Sequence, residues 1–179
     1  MHDFLSALAP EPFQVLGVEL KPLSYGHVVL LSRLDMDPVR TVPELFAATE
    51  ICRRDFQGGL DYIREFMTPI GQAKLEVVVQ KSKERDIRQA FAAWHAYLEA
   101  NSSRPEYCET EGVSSDRGAP FLAQLREVLL GLNYTPQYLM NAPYGQCLWD
   151  YGCVIEAANG WGIVGDQHRE IARLLEARN

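Results

Sequence analysis

Apolar positions along this chain recur mostly at a three-then-four spacing, the period that lines side chains along one face of a helix. The fullest instance lies between Asn141 and Gly160, where Tyr144, Cys147, Leu148, Tyr151, Val154, Ile155 and Ala158 form one stripe. The spacing predicts a buried helix. Asn141 is placed to accept a backbone N–H at its start, Pro143 is tolerated in its first turn, and Gly160 suits the turn after its end. Trp149 and Cys153, four residues apart, fall opposite the stripe and stand beside Gly145 and Gly152. Glycines there would let another backbone approach, so the opposite face is read as a second contact surface.

The same reading covers the rest of the chain. Met1 to Pro12 is an arm with at most a turn of helix around Phe4 to Leu8. From Phe13 to Lys21, β-branched residues, alternation and Gly17 predict a small hairpin that must pack on helices, because two strands alone are marginal. Ser24 caps a helix over Tyr25 to Leu34 that is apolar nearly all round. Thr41-Val-Pro-Glu44 is a capping-box pattern opening a helix to about Arg54. Gln57-Gly58-Gly59 is read as an interruption before a short apolar segment from Leu60 to Met67. The longest helix is expected from about Gly71 to Ala100, polar at Gln80 to Asp86 and core-facing through Ile87, Ala90, Phe91, Trp94, Tyr97 and Leu98.

Residues 101–118 are rich in Ser, Pro, Glu and Gly and read as a mobile loop between helical halves at 1–100 and 119–179, the two halves packing as one domain. Beyond it, Pro120 starts a helix through Leu132, Thr135-Pro136 starts a short one, and Asp166 caps a terminal helix from Gln167 to about Ala177. The fold class expected is mainly α, a multi-helix bundle with a minimal N-terminal β-hairpin.

Composition narrows the chemistry. A length of 179 residues with 47% hydrophobic content is enough for one sizeable core. The net charge of −7 disfavours a nucleic-acid partner, which needs clustered Lys and Arg. In the one basic run, Lys81, Lys83, Arg85 and Arg88 are interleaved with Glu84 and Asp86, the mark of a solvated helix face. Four cysteines, Cys52, Cys108, Cys147 and Cys153, lack paired metal-ligand spacing. With no leader pattern at the N-terminus, they favour a reducing cytoplasm, and neither metal nor cofactor is expected. No apolar run approaches the roughly 20 residues that a membrane span requires.

Catalytic constellations are thin. His27 and His95 read as packing or surface histidines. Cys147 with His168 could serve as nucleophile and base, but small residues on a packed helix face explain Cys147 more simply. Asp150 and Glu156 lie six residues apart on different helix faces. The glycines at Gly58-Gly59, Gly160, Gly162 and Gly165 match no phosphate loop.

Two stretches resemble bacteriophage tail assembly chaperones or related small tail-operon proteins. The first is Gly17 to Leu31, a short strand feeding an apolar helix through Pro22 and Ser24. The second is Met140 to Tyr151, followed by Glu156-Ala-Ala-Asn-Gly160 and a polar terminal helix. The resemblance covers about a quarter of the chain. It implies a non-enzymatic protein in the host cytoplasm that holds a long helical tape-measure protein in solution during tail assembly. Tyr144, Gly145, Trp149, Gly152 and Cys153 are the expected contact residues, toward that partner or a second copy. A virion structural or adaptor protein is the alternative, and a cysteine hydrolase using Cys147 the remote one.

Overall fold

The N-terminal hairpin forms where alternation and glycine placed it. A computed structural model of the chain describes residues 7, 12–81, 84–105, 107–108, 120–159 and 162–164. Strands β1 (Phe13–Val15) and β2 (Val18–Leu20) pair antiparallel with Phe13 opposite Leu20. The two turn residues, Leu16 and Gly17, both have positive φ, 54° and 73°. That is the left-handed pair a two-residue hairpin turn requires; glycine adopts it freely and leucine does so at a cost. Val15 and Leu20 point inward and are buried.

Three capped helices follow. Helix α1 (Tyr25–Arg33) starts from Ser24, whose side chain accepts from the His27 backbone N–H. Helix α2 (Val42–Cys52) starts from Thr41 with Glu44 closing the capping box, as the sequence pattern predicts. Helix α3 (Phe56–Phe66) starts from Asp55, whose carboxylate accepts from Gly58 N at 2.8 Å. Gly58 and Gly59 therefore lie inside a helix and do not interrupt the chain. A side chain on Gly59 would stand 3.0 Å from the Leu30 Cδ1 and 3.5 Å from Ile51, so glycine lets α3 approach α1 and α2 closely.

The single long helix expected from Gly71 to Ala100 is two. Helix α4 (Pro69–Gln80) starts from Thr68 and ends with Lys81 as its C-cap, and α5 (Glu84–Asn101) is separate. The division falls in the polar run, whose sequence from Gln80 to Asp86 holds no apolar residue. The two helices then serve different neighbours, α4 packing on α2 and α3, and α5 on β1 and α2.

Helices α6 (Phe121–Gly131), α7 (Pro136–Asn141) and α8 (Tyr144–Asn159) form the C-terminal group, with α6 against α8 and α7 against α1. Asn141 does not cap α8. It closes α7, donating from Nδ2 to the Gln137 carbonyl and accepting from Phe56 N at 3.2 Å. The start of α8 is held instead by Tyr144 N, which donates to the Leu23 carbonyl at 2.7 Å, beside a bridge between Ser24 and Pro143. Within the segment read as a loop, β3 (Tyr107–Cys108) pairs antiparallel with β4 (Gly162–Ile163), a pairing the sequence reading did not anticipate. The rest of 106–118 and the terminal helix expected from Gln167 lie outside the described residues. Of the N-terminal arm, Ala7 is helical and buried.

The fold is mainly α. Its buried side chains form two clusters. The first joins the hairpin to α1, α2, α3 and α5 around Leu45, Ile51, Trp94 and Tyr97. The second gathers Tyr25 with Leu125, Leu129, Leu139, Cys147 and Leu148 from α6, α7 and α8. Tyr144 packs against both.

Candidate functional site

Helix α8 is buried along its first half and opens to solvent toward its end. Cys147 and Leu148 are in the second core, while Cys153 and residues 156–158 are exposed. The five residues expected to make a contact surface differ in exposure, although Gly145, Trp149 and Gly152 follow one another at helical spacing on one side of α8 and Tyr144 falls aside. Gly145 and Gly152 are buried. Gly145 provides room, but for the chain itself: a side chain there would meet Ala7 Cβ at 3.0 Å and the Asn101 carbonyl at 3.3 Å. Trp149 is half-buried between these glycines. Tyr144 turns inward, lining a cleft between the two cores with Leu23, Leu31, Trp94 and Leu148. Burial pushes its hydroxyl up to about 12.

Cys153 is the most exposed member, on a shallow apolar depression formed with Leu132, Val154, Ala157 and Ala158. Burial and the carboxylates of Asp150 and Glu156 raise its thiol above the ordinary value. Cys147 is fully buried, and burial with Asp150 nearby pushes its thiol up to about 12. A thiol so raised stays protonated, the opposite of the depressed value that activates a nucleophile. His168, the base considered for it, lies outside the described residues. Asp150 accepts from the Tyr134 hydroxyl, which in turn accepts from Gln146 Nε2 at 3.0 Å, so this carboxylate ties α8 to the α6–α7 connection.

A different surface carries exposed apolar side chains. The turn into α4 and the helix itself leave Met67 61%, Ile70 70%, Val77 48% and Val78 46% exposed, and Gly71 is the one residue of α4 that is buried. Gly71 sits under the Glu65 carbonyl and the Phe66 backbone, where a side chain would collide with the end of α3. Beside it, a groove between α2, α3 and α4 is lined by Phe46, Tyr62, Phe66, Leu75 and Val78. Its rim carries Glu65 paired with Lys74 at 2.7 Å. The sequence signal for this surface was present but unread: Ile70, Leu75, Val77, Val78 and Val79 are too many apolar residues, too widely spread, for one packed face of a twelve-residue helix.

His27 also has a place that its sequence neighbourhood did not suggest. It is the third residue of α1 and closes the capping box on Ser24, the position usually held by Glu or Gln. Among the described residues no three His, Cys, Asp or Glu side chains converge as a metal site. No helix there is long and apolar enough to cross a membrane.

Compared with known proteins, the chain matches no family model, no curated protein and no solved structure. The class it can be assigned is thus its fold, a mainly helical protein with small strand pairs.

Proposed function

We propose that this chain is a non-enzymatic protein-binding factor that covers an apolar helical surface of its partner, in the manner of a phage tail assembly chaperone acting on a tape-measure protein. The observation that carries the reading is the exposed apolar surface formed by Met67, in the turn before α4, with Ile70 and Val77 on that helix. Exposed apolar side chains at helical spacing are what a helix-to-helix contact uses. The net charge of −7 adds to it, since like charges keep copies of the chain apart while the apolar face remains available.

The test is co-expression of the full chain with a long helical tape-measure protein, reading the soluble fraction of that partner. The wild-type chain is expected to keep the partner in solution. Ile70→Glu with Val77→Glu is expected to lose that effect while shifting stability by no more than about 0.5 kcal/mol, as surface substitutions do. A partner that stays insoluble beside the wild-type chain overturns the chaperone reading. A double variant as effective as wild type removes α4 from it. Recovery of the chain at fixed stoichiometry in finished particles would make it a structural subunit instead.

A further inference from the structure

His27 is 1% exposed and has both ring nitrogens engaged. Nδ1 accepts from the backbone N–H of Ser24 at 3.1 Å, and Nε2 lies 2.8 Å from the backbone carbonyl of Arg54. A peptide N–H can only donate and a carbonyl can only accept, so the two contacts are satisfied together by one species, the neutral ring with its proton on Nε2. A second proton would set an N–H on Nδ1 against the N–H of Ser24. That would open the capping box and leave a buried charge in its place.

What the ring holds is the junction between the two cores. Leu23 belongs to the first core and Tyr25 to the second. Between them Ser24 bridges Pro143, Tyr25 N donates to the Ala142 carbonyl at 3.1 Å, and Tyr144 N donates to the Leu23 carbonyl at 2.7 Å. Leu23 N donates to Asn101 Oδ1 at 3.0 Å, so the end of α5 is tied into the same segment. The Nε2 bond adds the turn between α2 and α3. Next to the ring, Gly26 lies against the Met140 carbonyl and the Phe56 ring, leaving no slack into which the helix start could shift.

We propose that His27 is a proton-operated latch: its neutral ring clasps the α1 start to the α2–α3 turn, and its protonation releases the 23–25 segment from 142–144, loosening the second core from the first. The charged groups facing the ring are Lys21, which opposes a second proton, and Asp55, the α3 cap, which favours it. The Arg54 guanidinium is held by Glu50 and stacks 4.8 Å over the Tyr62 ring. The charged residue of α1 is Arg33 at its far end, and α7 has none. Burial is the largest influence and lowers the ring's proton affinity from its ordinary 6.5, in keeping with a clasp that is closed when neutral.

The sign follows. The open form binds the proton near 6.5 and the closed form binds it only at lower pH, so closure is complete above 6.5 and weakens as pH falls below it. Within that window one linked proton shifts the opening equilibrium by about tenfold per pH unit.

Amide hydrogen exchange of the full chain, corrected for intrinsic rates, reads this directly between about pH 7.5 and about pH 5, above most carboxylate titration. The Tyr25 and Tyr144 amides are expected to lose protection by about tenfold per pH unit in the window, ahead of amides inside α2. His27→Gln keeps an acceptor for Ser24 N–H and does not titrate, so its protection at these amides is expected to be flat with pH. Flat protection in the wild type, or the same slope in the Gln variant, overturns the latch. Should the variant fail to fold, ring nitrogen shifts in the wild-type chain decide. They are expected to show an Nε2–H tautomer at neutral pH and a titration that moves together with the Tyr25 and Tyr144 amides. Titration without that movement also overturns it.

Discussion

At the scale of single residues, the glycines separate into those that a neighbour requires and those that nothing requires. A side chain on Gly26 would drive into the Met140 carbonyl and stand 2.6 Å from the Phe56 ring, at the junction His27 clasps. Backbone cannot swing aside as a flexible side chain can, so Gly26→Ala is expected to cost about 3 kcal/mol. Gly131, at the end of α6, has nothing among the described residues within 4 Å of such a side chain. There Ala is expected to stabilise by about 0.5–1 kcal/mol through reduced freedom of the unfolded chain. Urea melts of the two variants check both signs, and equal effects would mean that the Gly26 contact is not tight.

At the scale of elements, caps were the most legible feature because a cap is made of residues three apart. Ser24, Thr41 and Thr135 each accept from the backbone N–H that the sequence pattern assigns to them. Asp55 and Thr68 do the same for α3 and α4, whose starts the sequence reading put elsewhere. The misreading of α3 has a clear cause. Glycine pairs usually mark turns, and it is the closeness of Leu30 and Ile51 that favours glycine at Gly59 within this helix. Helix α4 buries little, so its cap should matter locally. Thr68 accepts from Gly71 N at 3.1 Å and donates to the Glu65 carbonyl at 2.6 Å. Thr68→Ala is expected to cost about 1 kcal/mol, seen as roughly fivefold faster exchange of α4 amides with little change in the global urea midpoint. A midpoint that falls by the whole amount would mean α4 unfolds only with the core.

At the scale of the whole molecule, the two cores meet through backbone bonds at residues 23–25 and through the Tyr144 ring. Tyr144→Ala removes the side chain that packs against both. It is expected to cost about 3 kcal/mol, toward the lower end for loss of a large aromatic because the ring is half-buried. It should also split an unfolding transition that tryptophan fluorescence and far-ultraviolet circular dichroism report together in the wild type. Coincident curves in the variant would show that the backbone junction alone couples the cores.

The local pattern of the chain carries the helical class, the hairpin with Gly17 at its turn, the caps at Ser24 and Thr41, and the inward residues of α5 and of the first half of α8. Periodicity and capping act over a few residues, and the chain states them directly. Which surface covers which was decided by tertiary structure. The pattern marked α8 as having a second face, but that Ala7 presses on Gly145 depends on a residue far away in the chain. Likewise the exposure of Ile70 and Val77 follows from what α4 packs against, with Gly71 its buried residue under the end of α3. Asn141 carried a cap's chemistry and was drawn to Phe56 N instead, because α3 arrives beside it. An amino-acid pattern specifies that a face is apolar or that a group can accept a hydrogen bond. The partner that fills that capacity is a non-local contact, set only when all the elements have packed.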